Sequence, residues 1–154
     1  MSVLIRKAET ADIPSLLMLS AQCRNFHNRL LKDYFVNPDP SAEEKFLQAA
    51  VVEEDKIFLV AQKEKTIVGM LWAYFKTLPY LRAPFICQID TLCVNESDRR
   101  TGVGRLLMEK LRQICRQKGA DEIKLSAYVA NTDAVSFYKS LGFAEKALDM
   151  RLKP

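Results

Sequence analysis

Two periods of apolar and polar positions alternate along the chain. From residue 13 to 31, Ile13, Leu16, Leu17, Ser20, Cys23, His27, Leu30 and Leu31 recur at helical spacing, and Thr10 ahead of them reads as the cap of an amphipathic helix. A strand candidate, residues 3–8, precedes it. The prolines of residues 37–40 end the region, and Ser41 to Glu44 has the form of a capping box opening a second helix with Phe46, Leu47, Ala50 and Val51 inward. From Lys56 the period shortens. Residues 56–62 and 66–75 are rich in β-branched and aromatic side chains around a polar turn, the pattern of an antiparallel hairpin. A proline-marked loop, 77–84, leads into a long apolar strand, 85–94. A helix then carries Val103, Leu106, Leu107, Leu111, Ile114 and Cys115 on one side, with Lys118-Gly119 as its end. Residues 121–129 read as a strand, Asn131 as the cap of a short helix, and residues 143–152 as an alternating closing strand. The order β-α-α-β-β-β-α-β-α-β predicts a mixed α/β (α+β) sheet in a single domain over residues 1–154.

Composition narrows the reading a little. The chain has 154 residues, 49% of them apolar and 27% charged, enough for one hydrophobic core. A net charge of +4 favours an anionic ligand but falls short of the basic stripes of nucleic-acid binders, so no nucleic acid is expected as a partner. The start resembles neither a signal peptide nor a membrane span, which makes the cytoplasm the expected location and a membrane no expected partner. Four cysteines without a paired motif and a single histidine, His27, give no set of metal ligands, and reduced packed thiols are expected.

The candidate chemistry begins after the strand 85–94. Gly102 and Gly104 open a helix, beside Arg99, Arg100 and Arg105. The first amides of a helix lack intrahelical acceptors and lie at its positive end, so this loop suits a phosphate-bearing anion. A P-loop would need a lysine and a hydroxyl residue after its second glycine; a dinucleotide fingerprint would need a third glycine where Leu107 stands.

Arg99-x-x-Gly102-x-Gly104, after a strand ending in Leu92 and Val94, and the run from Asn131 to Phe143 with Ala134, Phe137, Tyr138 and Gly142, together resemble the two hallmark motifs of the GNAT superfamily of N-acetyltransferases. The resemblance covers nearly the whole chain and implies a GNAT fold, a mostly antiparallel sheet splayed between strands 85–94 and 121–129. It implies acetyl-CoA as donor, with CoA as product. The pyrophosphate would rest against Arg99, Arg100, Thr101, Gly102, Val103, Gly104 and Arg105, and the pantetheine arm against Leu92, Cys93 and Val94, with Asn131, Ala134 and Tyr138 beside it. Tyr138 would be the general acid for the leaving thiolate, and Asp90 the base or water positioner for the amine, in a ternary complex with direct attack.

Asp90 is the carboxylate of the apolar strand 85–94 and needs a partner whatever its role; strand alternation, barring a bulge, sets it on one face with Gln88, Leu92 and Val94. His27, Tyr34, Phe35 and Gln88 are candidates for the acceptor pocket, since in the family the first two helices and their connection often shape it. A small-molecule amine is the expected acceptor, with a protein N-terminus or lysine as the alternative and a non-catalytic acyl-CoA-binding sensor as another class. A homodimer is common in the family.

Overall fold

The computed structural model describes residues 2–32 and 34–154. Five strands form one sheet in the order β1 (Val3–Lys7), β2 (Lys56–Lys63), β3 (Thr66–Thr77), β4 (Phe85–Val94), β5 (Glu122–Lys124). Every pairing is antiparallel except β4 with β5. The expected hairpin is β2–β3, closed between Lys63 and Thr66, with Glu64 at φ 55 in the left-handed region that a two-residue turn demands.

The sheet is buried on both faces, which is why β2 reads as five consecutive apolar residues rather than as an alternation. On one face α3 (Val103–Lys118) packs Val103, Leu107, Met108, Leu111 and Cys115 against Leu59, Ala61, Leu71 and Cys87. Leu106, expected inward, is on the solvent side of that helix. On the other face α1 (Ile13–Leu31) and α2 (Pro40–Val52) cover Phe58, Val60 and Met70 with Leu16, Leu19, Leu47 and Val51. α3 ends at Gly119, φ 74, where the Ala120 amide returns to the Cys115 carbonyl. α4 (Thr132–Ser140) is capped as expected by Asn131, whose Oδ1 accepts from the Ala134 amide at 3.2 Å.

Both other caps differ from expectation. Thr10 lies inside a 3₁₀ turn, Thr10–Asp12, that feeds α1; Asp12 there accepts the Glu9 amide at 2.8 Å and a two-pronged ion pair from Arg6 of β1 at 2.7 and 2.8 Å. Ser41 is likewise inside α2. Asp39 is the cap, taking the Ala42 amide at 2.9 Å, because Pro40 fits the first helical position, where no amide hydrogen is missed.

Two predicted strands are corrected. Of residues 121–129 only Glu122–Lys124 pair, with Ile86–Gln88 of β4. Residues 143–152 form no strand: no backbone hydrogen bond ties residues 144–154 to another described segment, and an alternating sequence becomes a strand only against a partner edge.

Candidate functional site

The site starts from a fault in β4. Partners across β3–β4 run Trp72 to Thr91 and then Ala73 to Ile89, so Asp90 is an extra residue, a β-bulge. The bulge reverses the alternation. Cys87 and Ile89 face α3, and so do Leu92 and Val94 beyond it, while Cys93 turns toward α1. The expected common face for Gln88, Asp90, Leu92 and Val94 is therefore not found: the inserted residue shifts the period by one. Gln88 instead bridges strands, its Oε1 accepting from Lys76 Nζ at 3.0 Å and its Nε2 donating to the Lys124 carbonyl at 3.4 Å. Past Gln88 β4 has no strand beside it on the β5 side among the described residues, so the edge from Ile89 to Val94 lies open.

That open edge leads to the start of α3. No amide from Arg100 to Arg105 donates to a protein acceptor among the described residues; the first bond of the helix runs from Leu106 to the Gly102 carbonyl at 3.1 Å. Arg100 at φ 62 and Gly102 at φ 94 turn the chain so that these donors gather, and the space over Gly102 is open. Thr101 fastens the loop by donating its hydroxyl to the Asp98 carbonyl at 2.6 Å. Gly104 matters for another reason, since a Cβ there would meet Phe137 of α4 at 3.2 Å, and its absence lets α3 and α4 approach. The three arginines divide. Arg105 is exposed, Arg100 reaches Asp133 of α4 at 3.3 Å, and Arg99 is folded under the loop, donating to the Val94 carbonyl at 3.3 Å with its guanidinium 4.5 Å from the Phe26 ring centroid.

Tyr138 of α4 lies near Cys23 of α1 and Cys93 of β4. Burial first, then the neighbouring thiols of Cys23 and Cys93, push its phenol up to about 12. One stripe of α1, Ser20–Cys23–His27, borders the rest. Cys23, its thiol drawn down by the neighbouring Cys93 and His27, lies 3.6 Å from His27 Nδ1. His27 joins an aromatic cluster, its ring centroid 5.9 Å from Phe35 and 5.5 Å from Tyr128, with Tyr34 5.1 Å from Phe35. Asn28 fixes the approach of this segment by bonding both the amide and the carbonyl of Phe35. The proposed acceptor residues His27, Tyr34 and Phe35 thus come together, and Gln88 does not join them.

Asp90 opens instead onto a cleft of about 90 Å³ between α1, α2 and the sheet, lined by Ser20, Glu43, Phe46, Trp72 and Thr91 among others. Phe46, expected inward, is half out of the protein and forms one wall, its ring 5.8 Å from Trp72. Glu43 takes hydrogen bonds from Ser20 at 2.7 Å and from Arg24, and these hold its carboxyl below the usual range against the opposing effect of burial. The Trp72 Nε1 and Gln22 Oε1 atoms are buried without a partner among the described residues. Sequence reasoning missed Glu43, Trp72, Tyr128 and Cys23. Only Cys23 carried a signal, four residues before His27 on one helical stripe.

The model of the acetyltransferase (GNAT) family matches residues 23–143, from α1 through α4. The chain belongs to that family. Human N-acetyltransferase 8 is 32% identical over 59% of this chain, and an uncharacterized N-acetyltransferase of Bacillus subtilis (strain 168), YhfO, is 26% identical over 92% of it. The matched region spans 40% of the length of the first and 89% of the second. Among solved structures, a tetramutant of the BH1408 protein of Bacillus halodurans superimposes with a TM-score of 0.88 at 28% identity, covering 98% of this chain and 99% of that one. GNAT proteins are acyltransferases, and the sheet described above, open beyond Gln88, is their fold.

Proposed function

We propose that this GNAT chain transfers the acetyl group of acetyl-CoA to a primary amine of a small cationic molecule, the amine attacking directly while both substrates are bound. One observation carries the reading: the unbonded amides of residues 100–105 follow directly on the open β4 edge, and the protonated phenol of Tyr138 lies near Cys93 of that strand. A diphosphate suits the amide cluster, with Arg100 and Arg105 adding charge, and the amide groups of a pantetheine arm suit the open edge at Leu92, Cys93 and Val94 as an added strand would. Asn131 and Ala134 hold the start of α4 against that arm. Acetyl-CoA supplies the activated acetyl group and leaves as the free thiol.

The residues of the chain do the remaining work. Tyr138 keeps its proton well above neutral pH and donates it to the departing sulfur. Asp90, re-aimed by the bulge, takes the proton of the incoming ammonium directly or through a water, since an alkyl ammonium of pKa about 10.4 is otherwise inert at neutral pH. A backbone amide at the bulge meets the developing oxyanion. Asp90 attracts the cation while Phe46 and Trp72 cover its carbon chain, and Glu43, held by Arg24 and Ser20, shapes the wall of the cleft. The size of the cleft favours a short alkylamine over a folded protein surface, and the cluster of His27, Tyr34, Phe35 and Tyr128 closes the far side.

Calorimetry with CoA and acetyl-CoA, followed by thiol release across alkyl diamines, amino sugars, amino acids and peptide N-termini, tests this. Micromolar binding and turnover of a short alkylamine are expected. Indifference to both CoA forms at millimolar concentration overturns the donor. Binding without release of thiol for any amine means a sensor, and turnover confined to peptides overturns the acceptor.

A further inference from the structure

The bulge at Asp90 also acts away from the cleft. Unbroken alternation would set Cys93 on the α3 face with Cys87 and Ile89; the inserted residue turns it to α1 instead. There its Sγ donates to the Leu19 carbonyl at 3.4 Å. Cys23 stands one turn further along α1, and a helical side chain leans toward the helix N-terminus, back over that same turn. The two sulfurs are therefore neighbours, Cys93 sealed at 4% exposure and Cys23 half-buried.

Their surroundings make them unequal. His27 Nδ1 lies 3.0 Å from the Cys23 carbonyl, a group that only accepts, so this nitrogen carries the ring proton and offers it as well to Cys23 Sγ at 3.6 Å. The Arg99 guanidinium, seated over Phe26, adds a positive charge near both sulfurs. Of the two thiols Cys23 is drawn down, by Cys93 first and then by His27 and Arg99, against the opposing effect of burial. Cys93 is pushed up by Cys23 and by burial. A reachable thiolate against an enclosed thiol is the arrangement that peroxides oxidise selectively. Cys87 and Cys115 are also neighbours, but both are closed off, at 0% and 4% exposure. The acetyl transfer proposed above employs none of these sulfurs.

We propose that Cys23 and Cys93 are a modification site for hydroperoxides, which join them in a disulfide that loosens the acetyl-CoA site. The Cys23 thiolate attacks one oxygen of hydrogen peroxide, the O–O bond breaks, and the released hydroxide takes up the proton that Cys23 gave to solvent. Cys93 then attacks the sulfur of the sulfenic acid, the S–O bond breaks, and the leaving hydroxide takes the Cys93 proton. Two thiols lose two electrons and the peroxide becomes two waters. Closing an S–S bond of about 2.05 Å draws residue 93 toward α1. Beyond Gln88 β4 is tied only to β3 and is free to follow. Val94 comes next, and its carbonyl holds Arg99 under the loop of unbonded amides, so the loop loses its support. This effect rests on the acetyl-CoA reading; the disulfide does not.

Intact mass and a non-reducing peptide map of the full chain, before and after stoichiometric hydrogen peroxide, test the site. A loss of two hydrogens is expected, with Cys23 joined to Cys93 while Cys87 and Cys115 still take an alkylating agent after unfolding. Cys23→Ser, at a half-buried position that should fold, forms no such link, and Cys115→Ser still forms it. Calorimetry on the oxidised protein should show acetyl-CoA bound about 10-fold more weakly, within the usual range of coupling between linked sites, and restored by a dithiol reductant. All four thiols still free after peroxide, Cys23 carried alone to a sulfinic acid, or a link confined to Cys87 and Cys115 overturns the site. A Cys23–Cys93 link that leaves acetyl-CoA affinity unchanged overturns its effect. The same link in a protein that ignores acetyl-CoA even when reduced upholds the thiol pair and removes the donor reading instead.

Discussion

At the scale of single residues, the two glycines of the first motif turn out to serve unlike ends. Gly102 is needed for its backbone angle and Gly104 for its lack of a Cβ against Phe137. Gly102→Ala should cost about 1–2 kcal/mol from the left-handed conformation alone and weaken acetyl-CoA binding by disturbing the amide cluster, as unfolding and calorimetry would report. Gly104→Ala asks only that Phe137 give by a few tenths of an ångström, so its effect on folding should be smaller. Tyr138→Phe should lower kcat by about 10²–10⁴-fold with the affinity for acetyl-CoA unchanged; an unaltered kcat would remove Tyr138 as the acid. Because the folded phenol titrates near 12 and an unfolded one near 10, the group adds stability below pH 10 that is lost as pH rises toward 12. Tyrosine absorbance during alkaline titration would show late ionisation of Tyr138, and of Tyr128, which burial also raises, with the Tyr138 part missing in Tyr138→Phe. Both motifs were legible in the sequence because their residue types and spacing are fixed by what they hold. Glu43 and Trp72 were not, since a carboxylate and an indole acquire a role only from what folds against them.

At the scale of elements, helix starts were read less well than helix bodies. Periodicity marks where a helix packs, whereas the cap is settled by a local contest among neighbouring polar residues, and a proline at the first helical position hands it to Asp39 over Ser41. Asp39→Ala should cost about 1 kcal/mol and Ser41→Ala close to nothing, a comparison that chemical denaturation resolves. The start of α1 depends on the paired side chains of Arg6 and Asp12, the latter nearly buried. A hydrogen bond from Arg6 lowers the Asp12 pKa, so its stabilisation is complete above the unfolded value of about 3.9 and is lost as pH falls through the lower folded value. Asp12→Asn should cost about 1.5–3 kcal/mol at neutral pH and flatten the acid limb of the stability curve. The bulge at Asp90 is the element-scale feature with the largest consequence. One inserted residue re-aims a carboxylate into the cleft and reverses the facing of Leu92, Cys93 and Val94, and no strand sequence announces a bulge without its partner strand.

For the whole molecule, the seat of α3 on the sheet decides whether the site exists. A Cβ on Gly69 of β3 would stand 3.1 Å from Val103, 3.3 Å from Leu107 and 3.2 Å from the Cys93 carbonyl. The last of these is backbone and cannot turn aside. Gly69→Ala should therefore lift the start of α3, weakening acetyl-CoA binding at a distance from any ligand-contacting side chain, and Leu107→Ala, at a fully buried position, should cost about 2–5 kcal/mol in denaturant unfolding. The linear chain was enough to read the order of elements as far as α4, the β2–β3 hairpin, the phosphate-suited turn and the family, because local propensity, apolar period and motif spacing are carried by residues close together along it. Folding in three dimensions settled how far β5 pairs, that residues 144–152 make no backbone hydrogen bond to another described segment, and that Asp90 shares a cleft with Glu43 and Trp72. Each of these depends on which edges and faces meet across many residues of chain, and that meeting is a property of the folded whole.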